Sequence, residues 1–157
     1  MSQSLVERDV NHIRKILQEL LIKSEADGCV VCDSGGYVLA QEGRGAGDSL
    51  VVSALGAGVF AASRELARIL GEDEFSAVFH QGERKSIFIR AVNRDVLLVV
   101  IFSNAASIGI VRLYAAPAAV EMHRVLAEAR DHEKTEEPVH MFVLTSGSTL
   151  FAGPEKT

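Results

Sequence analysis

Apolar residues recur at Val6, Val10, Ile13, Leu17 and Leu20, a 4-3-4-3 spacing that predicts an amphipathic helix over about residues 4–23. Glu7, Arg8, Arg14, Lys15 and Glu19 fall on its solvated side. The period then shortens to that of strands. GCVVCD, residues 28–33, reads as a strand, Asp33-Ser34-Gly35-Gly36 as a turn whose glycines admit positive φ, and YVLAQ as the returning partner. EGRGAGD, residues 42–48, is a glycine-rich connection, and Asp48 or Ser49 then caps a helix over residues 49–70.

That second helix carries two apolar stripes. Leu55, Val59, Ala62, Leu66 and Ile69 have core spacing and are expected to pack on the sheet. Ala54, Ala57, Gly58 and Ala61 form a stripe too small to fill a core, and a glycine inside a helix costs ~1 kcal/mol relative to alanine. Close approach of a second polypeptide accounts for it; the plainer account is helix packing within one subunit.

Beyond the helix the pattern is again that of strands. FSAVFHQ, residues 75–81, alternates Phe75, Ala77 and Phe79 on one face with Ser76, Val78 and His80 on the other. Gly82-Glu83-Arg84 turns the chain into KSIFIRAV, and Asn93-Arg94-Asp95 turns it into DVLLVVIF. The unbroken apolar run VLLVVIF, residues 96–102, suits a central strand covered on both faces. A last helix after Asn104 keeps register through Ile108, Val111, Ala115, Ala119, Met122, Leu126 and Ala129, and is expected to bend at Pro117 rather than break. The charged ARDHEKTEEP and apolar VHMFVLTSGSTLFAG that follow are expected to form a separate, partly flexible tail that adds a hairpin or docks on a neighbour. The division is a domain at residues 1–130 and a tail at 131–157.

Composition and charge restrict the function. A chain of 157 residues, 48% hydrophobic and 24% charged, can bury a core without disulfides or metals. Its net charge of −5 with no Lys/Arg cluster argues against nucleic acid as a partner. No apolar stretch reads as reaching the ~20 residues that span a bilayer, and MSQSLVERDV has no signal pattern, so no membrane insertion and a cytoplasmic location are expected. Cys29 and Cys32 make a C-x-x-C on a strand, where a spacing of three sends the thiols to opposite faces; this suits two buried thiols rather than a redox pair or a zinc site. Gly43, Gly45 and Gly47 fit neither dinucleotide nor P-loop spacing, and TSGST lacks the Gly-Lys of an adenylate-forming loop. His12, His80, His123, His132 and His140 fall on different elements, and no nucleophile, base and orienting group come together by spacing. The chain is expected to be no enzyme, with no cofactor and no metal. Arg64, Arg84, Arg90 and Arg112 are candidates for insertion toward a partner's phosphates, with surface or ion-pair roles as the plainer account.

The element order α-ββ-α-βββ-α predicts an α/β (α+β sandwich) domain with one five-stranded, mostly antiparallel sheet. In LARILGEDEFSAVFHQGERKSIFI, in VLLVVIF and in Ser107-Ile108-Gly109-Ile110-Val111-Arg112-Leu113, the chain resembles the roadblock/LC7 family, more closely its bacterial Mgl-type, MglB-like branch, over about residues 5–130. The resemblance implies the roadblock/LC7 fold and a homodimer joined through the second helix and the edge strand, with Phe75, Ala77, Phe79 and Gln81 at the interface. It further implies a GTPase activator in cell polarity or motility control that binds a Ras-like small GTPase through Ala54, Ala57, Gly58, Ala61, Glu65 and Arg68 and aligns its switch residues without an arginine finger. Glu65 stands where the family pattern expects a small residue. A non-activating roadblock scaffold or adaptor is the alternative the same resemblance allows.

Overall fold

The computed structural model describes the backbone of residues 5–44, 48–103 and 105–152 and the side chains as far as residue 133. The elements are α1 (Glu7–Ser24), β1 (Gly28–Asp33), β2 (Val38–Gly43), α2 (Ser49–Leu70), β3 (Ala77–His80), β4 (Lys85–Ala91), β5 (Val96–Ser103) and α3 (Ile108–Ala152). All strand pairs are antiparallel and the sheet order is β2-β1-β5-β4-β3. The expected order of elements and the central place of VLLVVIF are both observed: Val96 to Phe102 are buried throughout.

The alternation of β5 divides the interior in two. Leu98, Val100 and Phe102 join Ile13, Leu17, Leu20, Phe88, Met122 and Leu126 in a core under α1 and α3. Leu97 and Val99 join Val30, Ile89, Ala57 and Phe60 in a thinner core under α2. At about 1.5–3 kcal/mol for each large apolar side chain fully buried, these two layers hold the sheet between its helices. Cys29 belongs to the first core and Cys32 to the second, on opposite faces as their spacing requires, and neither is in a disulfide.

Local chemistry fixes the ends of α2. Asp48 accepts a hydrogen bond from the Leu50 N–H at 3.1 Å, and Gly71 closes the helix with φ +80 while Glu72 N–H donates to Ala67 O at 2.9 Å. Ser107 Oγ accepts from the Ile110 N–H at 3.2 Å at the start of α3. That helix runs without interruption through Pro117 and on to Ala152, so the backbone from 139 to 152 is helical and not a hairpin. The expected boundary at residue 130 therefore falls inside a continuous helix.

α2 also departs from expectation in another respect. By length and composition Ser49–Leu70 is long and apolar enough to cross a bilayer, contrary to the expectation that no stretch would be. It lies on the sheet instead, with Ser53, Gly56, Ala57, Phe60, Ser63 and Ala67 buried.

Candidate interaction surface

The face that α2 turns to the sheet is neither of the two stripes expected from its sequence. Serine, glycine and alanine line it, with Phe60 as the one large anchor. The strands supply the bulk: Val30, Leu97, Val99 and Ile89 rise toward the helix, and a Cβ on Gly56 would meet Val99 Cγ2 at 3.5 Å. A helix seated this close to β-branched side chains requires small residues on its own side.

Both expected stripes consequently lie away from the sheet. The bulky one is corrected outright: Leu55 is 66% exposed and Ile69 is 69% exposed, Leu66 and Ala62 are also exposed, and of the five only Val59 is partly packed inward. Leu50, Val51 and Leu70, unweighed in the sequence, extend this apolar surface. The small stripe is exposed at Ala54, Gly58 and Ala61, and Glu65 and Arg68 continue it. Ala57 does not belong with them; at 5% exposure it sits in the sheet-facing core. The outer face of α2 is thus a small ridge beside a bulky one, at 3.6-residue spacing.

The charges on that face are internally balanced. Arg68 donates to the Glu65 carboxylate one turn earlier, and this hydrogen bond raises the guanidinium pKa. Arg64 is held inward, donating to Arg94 O at 2.8 Å, lying 3.5 Å from Glu74 Oε1 and sitting over the Phe60 ring at 5.2 Å. It ties α2 to the β4–β5 turn. Arg112 lies over Phe88 at 5.8 Å on the opposite side of the sheet.

β3 forms the open edge. Among the described residues it pairs only with β4, Ala77 opposite Arg90 and Phe79 opposite Phe88, and it is shorter than expected because Phe75 and Gln81 lie outside it. The Ala91 N–H donates to Ser76 O, so by the alternation of an antiparallel ladder Val78 and His80 bond toward β4, while Ala77 and Phe79 present their N–H and C=O groups outward. Phe79's ring turns inward to stack on Phe102 at 6.0 Å. Of the four expected interface residues, Ala77 and Phe79 therefore offer backbone, Phe75 is half-buried before the strand, and Gln81 is exposed after it.

An open sheet edge and an apolar outer helix face define a protein-interaction module. The chain belongs to the Roadblock/LC7 family, whose domain model matches residues 13–102. Among solved structures it is similar to the gliding protein MglB from Thermus thermophilus, with 29% identity, coverage of 81% of this chain and 97% of that one, and a TM-score of 0.77. Myxococcus xanthus MglB gives 30% identity, coverage of 80% and 96%, and a TM-score of 0.74. An MglB with tetrameric arrangement gives 30%, coverage of 82% and 97%, and 0.78.

Proposed function

We propose that this chain is a homodimeric, cytoplasmic regulator that binds a Ras-like small GTPase and stimulates its GTP hydrolysis, in control of cell polarity or motility. The observation that carries the reading is the outer face of α2, where Leu50, Val51, Leu55, Leu66, Ile69 and Leu70 stand about half or more exposed on a single protomer. Such a surface needs covering. Membership of the Roadblock/LC7 family and similarity to MglB structures support the GTPase as the partner.

The two ridges divide the work. The bulky ridge meets its counterpart on a second copy, while β3 pairs edge to edge with the partner's β3; the small ridge of Ala54, Gly58 and Ala61 lets the GTPase backbone come close. On this reading the regulator lends no catalytic group of its own, and among the described residues α2's outer face offers no unpaired guanidinium, since Arg68 is bonded to Glu65. Stimulation then comes from aligning the GTPase's own groups. Single-turnover hydrolysis by a Ras-like GTPase from the same genome, with and without this protein, is the test. Acceleration is expected; complex formation at the intrinsic rate would make the protein a scaffold or adaptor.

A further inference from the structure

On the side of the sheet away from α2, β4 and α3 border an open cavity of about 170 Å³ lined by Arg90, Ala91, Val92, Ala119, Val120 and His123. Arg90 Nε is buried there without a hydrogen-bond acceptor. His123 Nδ1 is bound to Val92 O at 3.0 Å, which turns the ring's other nitrogen away from that carbonyl. Arg90 makes no ion pair among the described residues, and a carboxylate entering the cavity that its side chain lines would bring it a charge-assisted bond.

The seam where α3 packs on β4 runs on from the cavity. Arg112, Ala116, Ala119 and His123 share the flank of α3 that faces β4, and Arg112 covers the ring of Phe88 without an ion pair among the described residues. Eleven residues separate Arg112 from His123, about 16 Å along the axis, which matches roughly five residues of extended chain. Val120, 68% exposed, borders the cavity. Asp95, the carboxylate at the neighbouring turn, is paired with Arg130 at 3.8 Å. In a chain of net charge −5, Arg90 and Arg112, neither in an ion pair among the described residues, give this side of β4 a local positive sign.

We propose that the seam between α3 and β4 docks an acidic, extended peptide segment of a partner protein, with one carboxylate seated between Arg90 and His123 and another near Arg112. The site lies across the sheet from α2, so it can be filled while a GTPase occupies the helix.

Fluorescence anisotropy of a fluorescein-labelled hexaglutamate peptide against the full chain tests the proposal. Saturable binding that weakens with salt is expected, falling about tenfold or more in Arg90→Gln, the loss of one charge-assisted bond. Arg112→Glu changes an exposed side chain and should weaken binding similarly with the core intact, while Ala61→Arg on α2 should leave it unchanged. Absence of saturable binding, equal binding of hexalysine, or full binding in both arginine variants would overturn the proposal. So would a peptide-induced change in subunit number by light scattering, because it would place a second copy on that seam.

Discussion

Cys29 shows how one side chain couples packing to pH. Burial chiefly, and the nearby Glu42 carboxylate in addition, push its pKa from 9.0 to about 12, and burial raises Cys32 to about 11. Between pH 9 and the folded-state values the unfolded chain has released these protons and the folded chain still holds them. Stability therefore falls as pH rises through that window, by up to about 1.4 kcal/mol per pH unit for each thiol. Urea unfolding at pH 8 and pH 10 should show this loss in the wild type and a smaller one in Cys29→Ala, which has one such proton fewer. Gly36 makes a second prediction at this scale. Its φ is +89, and a Cβ there would come within 2.7 Å of the Ala54 Cα. Gly36→Ala should cost about 1–3 kcal/mol in chemical unfolding, since both the backbone and the contact between turn and helix resist it.

Among the elements, α2 separates inward from outward side chains most sharply. Phe60 is the one large residue it buries, so Phe60→Ala should cost about 3–5 kcal/mol of protomer stability. Leu55→Ala removes a comparable volume from an exposed position and should leave the unfolding midpoint of a dilute protomer nearly unchanged, with its effect falling on self-association. Much of the fold was legible because α1, β1 and β5 each have a period that matches a single burial pattern, and a cap at Asp48 or Ser49 marked the start of 49–70; the close at Gly71 emerged only from the structure. Which face of α2 points inward was not legible. A stripe of leucines has the spacing of a core face whether a sheet or another protein covers it, and the true inward face hid its role behind Ser53, Gly56 and Ser63, residues that signal close approach rather than burial. Of the small stripe, Ala57 was misassigned, because the surface that approaches it is the protomer's own sheet. The cavity at Arg90 could not be read at all, since it depends on Ala119 and His123 arriving beside a strand far off in sequence.

For the whole molecule, the question is how one protomer satisfies an unpaired edge and an uncovered helix together. Both are covered at once if two copies pair through β3 and lay their α2 helices side by side, the arrangement proposed above, and the two contributions can be separated by substitution. Ala77 faces its backbone N–H outward, so Ala77→Pro removes a donor that β4 does not use and blocks edge pairing at little cost to the protomer's own ladder. Phe79→Glu is a poorer probe, because its carboxylate would displace a ring stacked on Phe102 and unfold part of the core as well. Ala61→Arg acts at neither contact: it places a bulky cation on the small ridge, where it should abolish GTPase binding in a pulldown while leaving the dimer intact. Light scattering should therefore report a monomer for Ala77→Pro and a dimer for Ala61→Arg, with GTPase stimulation lost in both. A dimeric Ala77→Pro would remove β3 from the interface, and stimulation by a monomeric one would mean that a single α2 suffices to align the GTPase.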